Sequence, residues 1–294
     1  MNVGIIGAGR QGWRRAQALQ EAGGDKLSIV ADVVEASATA LASEMGCAAT
    51  TGWEEVVERK DVEAILVCTP PDVHEAVISA ALQAGKHILC EKPLARTPEE
   101  GARILRVAQK SRAKLKCGFN HRYYPGIRQA KEWIKQGAIG ELDFIRSRHG
   151  IVGRVGYEKD WRAQPAVAGG GELMDQGMHS LDLFRFFMGE FAEVFGLVAT
   201  YYWQIPAEDN AFAILRTSTG GLASLHTSWT QWKNLFSFEI FGHDGYIVVE
   251  GLGGSYGTQR ATLGRREFDR PFREETVEYR GGDRSWREEW REFR

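Results

Sequence analysis

The sequence predicts an α/β protein with an N-terminal, doubly wound parallel sheet of the Rossmann type. This is joined to an α/β domain whose open sheet is mainly antiparallel. Three observations predict it. Short, β-rich apolar runs alternate with Gly-closed helical stretches over residues 1–119, which is the rhythm of a parallel sheet. Beyond about residue 120 the rhythm gives way to long alternating segments with Gly-containing turns, the pattern of antiparallel hairpins. A chain of 294 residues with 43% hydrophobic and 26% charged positions also exceeds one comfortable core.

The elements follow in order. Val3-Gly4-Ile5-Ile6 reads as the first strand, and a helix from Gln11 to Ala22 ends at Gly23-Gly24. Leu27 to Ala31 is the second strand, followed by a helix from Ala36 to Met45 that Gly46 closes. After a shorter unit come the strand Ala64–Cys68, a helix from His74 to Ala84 stopped by Gly85, and the strand His87–Cys90. Thr97-Pro98-Glu99-Glu100 is a capping box with Pro in the first helical position, and it opens a helix to about Arg112 before the strand Leu115–Gly118. In the second part, residues 120–294, we expect a helix over Pro125–Lys135, a strand over Glu141–Arg148 and a helix over Leu173–Met188. Two hairpins then turn at Thr219-Gly220-Gly221 and Asp244-Gly245.

Composition narrows the function. A formal charge of -2 and a pI near 6.4 offer no basic field for a nucleic acid backbone or an anionic membrane, so neither is expected as a partner. Cys47, Cys68, Cys90 and Cys117 are far apart and form no C-x-x-C pair, so buried thiols in a reducing compartment are expected rather than a metal or redox site. Strand-like sequence begins at Asn2 and no apolar run approaches a membrane span, which favours a cytoplasmic protein without a leader.

Gly7-Ala8-Gly9-Arg10-Gln11-Gly12 lies between the first strand and the first helix. Alone it could be a tight turn. In this position, glycines permit the turn, the approach of backbone N–H groups to a pyrophosphate, and close helix packing, while the helix N-terminus favours the anion. Asp32 ends the second strand, where a carboxylate accepts from the ribose hydroxyls of NAD. Val33, Val34 and Glu35 provide no cation for a 2′-phosphate, so NAD is favoured over NADP.

Two further motifs carry chemistry. Glu91-Lys92-Pro93 follows the fifth strand, at the edge where open α/β sheets bind ligands, and the Thr69-Pro70-Pro71 turn ends the fourth strand on the same edge. Both turns are expected to line one cleft. Gly169-Gly170-Gly171 leads into the predicted helix, on which Asp175, His179 and Asp182 share one stripe at about 100° per residue. Met174, Met178, Leu181, Leu183, Phe184, Phe186 and Phe187 occupy most of the remaining circumference, so the helix is expected to be buried and its polar groups to need a cavity, partner or ligand. No third ligand accompanies Asp175 and His179, so no metal is expected.

With the dinucleotide loop, Glu91-Lys92-Pro93 and Asp175-x-x-x-His179 in this order, the sequence resembles the glucose-fructose oxidoreductase / inositol dehydrogenase / rhizopine catabolism (Gfo/Idh/MocA) family over essentially its whole length. Thr69-Pro70 with His74, Asn120-His121-Arg122 and Trp161-Arg162 resemble family segments on the cofactor side. The resemblance implies an NAD(P)-dependent dehydrogenase or reductase acting on a secondary alcohol or ketone of a sugar, inositol or sugar nucleotide. It implies that Lys92 holds the reacting hydroxyl, His179 takes its proton and Asp175 holds substrate hydroxyls. Arg122, Tyr123, Arg154, Tyr157, Trp229 and Trp232 would suit stacking on a pyranose or contacting an acidic group. The open sheet implies a homodimer or homotetramer. Similar proteins usually continue further, whereas this chain stops within what reads as a helix, Ser285–Trp290, so we expect a shortened C-terminus and incomplete packing on the first domain. The alternative is a noncatalytic dinucleotide sensor or scaffold, which would have no use for Lys92, Asp175 and His179 together.

Overall fold

The computed structural model describes residues 1–294. They form two compact units, the first comprising Met1–Phe119, Ala166–Gly169 and Trp286–Arg294, the second Asn120–Pro165 and Gly170–Ser285. The chain changes unit at residue 120. Its last segment, expected in the second part, packs into the first unit instead.

The first unit contains β1 (Asn2–Ile6), α1 (Arg10–Ala22), β2 (Lys26–Ala31), α2 (Glu35–Met45), β3 (Ala48–Thr50), α3 (Trp53–Glu58), β4 (Ala64–Val67), α4 (His74–Gln83), β5 (His87–Glu91), α5 (Pro98–Ala108) and β6 (Leu115–Gly118). All strands are parallel, in the order β3-β2-β1-β4-β5-β6. The order reverses between β1 and β4, which makes their carboxyl ends the ligand crevice of such a sheet. Helices cover both faces, so the strands are apolar without alternation: Val3, Ile5, Ile65 and Ile88 are fully buried, and two cores flank the sheet. The capping box at Thr97 forms by half. Thr97 accepts from the Glu100 amide, but the Glu100 carboxylate turns to the amide and guanidinium of Arg96.

The second unit contains α6 (Pro125–Lys135), β7 (Leu142–Val152), most of its link to α7 (Pro165–Ala168), α8 (Met178–Met188), and the strands β8 (Phe191–Ala199), β9 (Asn210–Thr217), β10 (Leu222–Ser228), β11 (Thr230–Gly242), β12 (Gly245–Glu250), β13 (Gln259–Arg265) and β14 (Glu274–Tyr279). Eight strands run in the order β14-β13-β12-β11-β7-β10-β9-β8, antiparallel except for β7 with β10. β7 runs beyond its expected end because both β10 and β11 continue to pair with it as far as Gly150. Ile127, Ala130 and Trp133 of α6 and Leu183 and Phe184 of α8 form one core with inward residues such as Ile145, Leu225, Phe238 and Ile247. Phe195, Phe212, Ile214 and Phe144 on the opposite face are exposed. The last helix, α9 (Ser285–Phe293), buries Trp290 and Phe293 in a core of the first unit. No helix is long and apolar enough to cross a membrane.

Candidate active site

In the first unit, the loop after β1 is shaped by backbone demands. Gly7 has φ +99°, and a side chain there would strike Cys68 and Thr69; a Cβ on Gly12 would run into the carbonyl oxygen of Gly7. Gly9, the N-cap of α1, meets nothing within 4 Å of the place a Cβ would occupy, so its backbone is open to a ligand at the helix N-terminus. Arg10 and Gln11 are the first helical residues beyond it. Asp32 ends the adjacent strand and accepts from the amides of Ala8 (2.7 Å) and Val34 (2.9 Å), which fixes its carboxylate beside the loop. Val33 and Val34 are exposed next to it. These groups fit a dinucleotide: an open backbone cradle for the pyrophosphate and a fixed acceptor for the ribose.

The turns after β4 and β5 are tied together by His74. Its Nδ1 lies 3.0 Å from the Pro93 carbonyl oxygen and its Nε2 3.0 Å from that of Thr69, with Cys90 Sγ 3.3 Å from Nδ1. Burial pushes this imidazole below its ordinary pKa, against the pull of the backbone acceptors. His74 therefore holds the two turns, and its ring nitrogens are committed to protein atoms. Lys92 is half-buried at the end of β5. Glu91 points into the unit: its carboxylate meets Arg15 of α1 at 2.7 Å from Nε and 2.6 Å from Nη2, and Arg15 Nη1 meets Glu289 of α9 at 2.6 Å. Trp286 covers the guanidinium 4.5 Å from its ring centre. Burial alone would weaken the proton affinity of Arg15, but the two carboxylates outweigh it and keep it charged. Burial, with Glu91 adding to it, raises the Glu289 pKa against the pull of Arg15.

In the second unit, the expected continuous helix begins differently. Leu173–Gly177 is a π turn and the α-helix starts at Met178, so Asp175 and His179 do not share a regular α-helical stripe. Extra-wide turns of this kind recur at functional sites. Its entry is fixed by Glu208, whose carboxylate accepts from the amides of Gly171 (3.0 Å) and Leu173 (3.1 Å), while buried Glu172 accepts from Thr227 Oγ1. Asp175 lies 3.7 Å from Arg162 Nε, and Arg162 also pairs with Asp160 at 3.2 Å. Trp161 stacks on the Arg162 guanidinium at 4.3 Å. His179 is buried, with its ring centre 3.7 Å from that of His121 and the planes 10° apart. His149 lies 5.3 Å from His121 and 6.3 Å from His179. No group of three or more His, Cys, Asp or Glu side chains is arranged to hold a metal ion. Asp182, the third residue of the expected stripe, forms a bidentate pair with Arg122 (2.6 and 2.7 Å), so it locks the helix to the segment after residue 119. Asn120 bonds Ser285 Oγ at 2.8 Å. Tyr157 and Trp229 are core residues packed with Trp203, whereas Trp232 is exposed.

Residues 1–119 match the family described as "Oxidoreductase family, NAD-binding Rossmann fold", and residues 127–248 match "GFO/IDH/MocA C-terminal domain". The chain belongs to the Gfo/Idh/MocA oxidoreductase family. This family member is 31% identical to the inositol 2-dehydrogenase of Rhizobium meliloti, over 87% of this chain and 74% of that protein. It is 27% identical to the levoglucosan dehydrogenase of Pseudarthrobacter phenanthrenivorans, over 84% of this chain and 73% of that protein. A solved structure of a levoglucosan dehydrogenase in complex with NADH superimposes with a TM-score of 0.90 at 25% identity, covering 100% of this chain and 88% of that one.

Sequence reasoning did not single out His149, Arg15, Glu208 or Glu289, and it placed His121 on the cofactor side. An arginine at the third position after the last loop glycine, Arg15 between Gln11 and Leu19, was the one visible signal, since a charge on the buried face of an amphipathic helix needs partners. The histidines of β7 and of the segment after β6 come together only through the fold.

Proposed function

We propose that this Gfo/Idh/MocA oxidoreductase interconverts a secondary alcohol and ketone on an uncharged sugar, anhydrosugar or inositol. The observation that carries the substrate class is the charge balance around the π turn. Arg162 is matched by Asp160 and Asp175, Arg154 by Asp160 and Arg122 by Asp182, so these three cations of the second unit are already answered by carboxylates. A phosphorylated or acidic substrate would need one of them released. The relatives named for inositol and levoglucosan act on neutral polyols, which supports the reading.

Gly7, Ala8, Gly9, Arg10, Gln11 and Gly12 would hold the pyrophosphate of NAD and Asp32 its ribose, with Thr69, Pro70, Asn120, Trp161 and Arg162 on the cofactor side. Bound NAD supplies the hydride acceptor. Lys92 donates to the reacting oxygen and stabilises the charge that develops there. His179 accepts the hydroxyl proton, a role that suits an imidazole near neutral pH. Asp175 accepts from a neighbouring hydroxyl and so orients the substrate. In reverse, His179 returns the proton and the ketone is reduced.

The assembly we propose is a homodimer or homotetramer through the exposed sheet face. Phe195, Leu197, Phe212 and Ile214 form an apolar strip there, and Arg146 pairs with Glu239 beside it. Apolar strip and mixed charges together suit a second copy of the same face in a two-fold arrangement. Four cysteines, none of them in a disulfide, favour a cytoplasmic setting.

The test is a screen of inositols, pyranoses, levoglucosan and sugar phosphates for NADH formation, followed by His179→Ala on the best substrate. A neutral polyol should win, and the variant should lose roughly 10²–10⁴-fold in turnover with NAD affinity unchanged. A sugar phosphate as best substrate refutes the substrate class, and a folded His179→Ala enzyme with full turnover refutes the base.

A further inference from the structure

The His179 ring is held from one side by the segment that follows β6. His121 lies on a short 3₁₀ helix, Asn120–Tyr123, and stacks face to face on His179 at 3.7 Å and 10°. The next residue, Arg122, binds Asp182 through two hydrogen bonds of 2.7 and 2.6 Å, and Asp182 sits one turn beyond His179 on α8. Consecutive residues of one segment therefore grip the same helix twice, once by a bidentate ion pair and once by ring on ring. His121 is itself fixed edge-on by Tyr124 (5.3 Å, 74°) and Phe236 (5.7 Å, 89°) and bordered by His149 at 5.3 Å. Tyr124 is anchored in turn by its hydroxyl on Asp283, at 2.8 Å.

This matters for a base because the torsion between an imidazole and its Cβ is broad and has no strong preferred angle. Only contacts can decide where the ring plane and its lone pair point, and proton transfer requires that aim. A flat partner at van der Waals distance restricts the tilt of the His179 ring.

We propose that His121 is a positioning residue for His179, setting the plane of the imidazole through the stacked face. The inference rests on the reading of His179 as the base.

The test compares His121→Leu, His121→Gln and His121→Phe with His179→Gln, using NAD and the polyol oxidised fastest in the screen above. Thermal unfolding shows which variants are folded, and fluorescence titration gives NAD affinity. Loss of the flat face in His121→Leu should lower kcat about tenfold or more, in line with the ~10²-fold that a 1 Å misplacement can cost, while KM and NAD affinity stay within about twofold. His121→Phe restores a flat ring and should return kcat to within about threefold of wild type. If the Leu variant does not fold, His121→Gln, polar and without a ring, carries the same expectation. A folded Leu or Gln variant with unchanged kcat, or a Phe variant as slow as Leu, overturns the positioning role while His179→Gln remains inactive. An active His179→Gln enzyme instead overturns the assignment of the base.

Discussion

Arg15 should be the most sensitive single residue of the first unit. Its guanidinium is 2% exposed and holds Glu91 at 2.6–2.7 Å and Glu289 at 2.6 Å, so Arg15→Met strands two buried carboxylates beside each other. Removing one partner of a buried ion pair costs ~3–5 kcal/mol, and at roughly 2–4 °C per kcal/mol the melting temperature should fall by about 6–20 °C. The stranded carboxyls then have folded pKa values above their unfolded ones. Such groups bind more protons in the native state, so the deficit should grow from pH 5 to pH 8. Glu289→Gln keeps an acceptor for Arg15 Nη1 and removes a charge whose burial is unfavourable, so it should change stability by no more than about 1 kcal/mol. Replacing Arg15, Glu91 and Glu289 together by Met or Leu should recover most of the loss, because apolar residues of similar volume often replace buried ion clusters without cost. Scanning calorimetry at the two pH values measures all of this. A melting temperature within about 3 °C of wild type for Arg15→Met would refute the reasoning, as the triad would then be hydrated.

Other expectations follow from the same geometry. Gly9→Val should fold normally and lose NAD binding in a fluorescence titration, because its Cβ enters open space, whereas Gly12→Val should also lose stability against the Gly7 carbonyl. NAD should bind more tightly than NADP, and Asp32→Gly should narrow the difference; tighter NADP binding by the unaltered protein contradicts the role of Asp32. The folded pKa of His74 lies below its unfolded value of about 6.5, so its contribution to stability is complete above that pH and is lost as the pH falls towards the folded value. Denaturant unfolding at pH 7.5 and 5.5 should thus show a smaller decline in His74→Asn than in wild type. Ile214→Glu with Phe195→Glu should yield monomer in light scattering at micromolar concentration if the exposed strip is the interface; an unchanged mass places the interface elsewhere.

The first unit was legible because its signals are local. Buried parallel strands are continuous apolar runs such as Ala64–Cys68, and helix ends carry Gly46 and Thr97 where backbone geometry requires them. The candidate site was legible only in its motif residues. The π turn at Leu173–Gly177 depends on Glu208, 35 residues away from Leu173, accepting from its first amides, and helical periodicity carries no trace of that. The stack of His121 on His179 likewise joins residues whose proximity is set by packing. The partners of Glu91 and His74 were not legible for the same reason: a motif names a residue, while its partners, here Arg15 and two carbonyls, are set by packing.

Asp25 has a consequence for the order in which the molecule can assemble. One carboxylate accepts from the Met1 ammonium at 2.6 Å, from the Trp290 indole at 2.9 Å and from Arg294 at 3.2 Å. These bonds outweigh its burial and hold its pKa below the usual carboxylate range. Met1 and α9 thus meet on the same side chain, with the second unit lying between them in sequence. A ribosome that has made residues 1–119 has made every strand of the first sheet but not Glu289, Trp290 or Phe293, so Arg15 lacks one counter-charge and the core beside α1 lacks two aromatic rings. The nucleotide-binding unit therefore closes its core only after the second unit has been made, because α9 follows that unit in sequence.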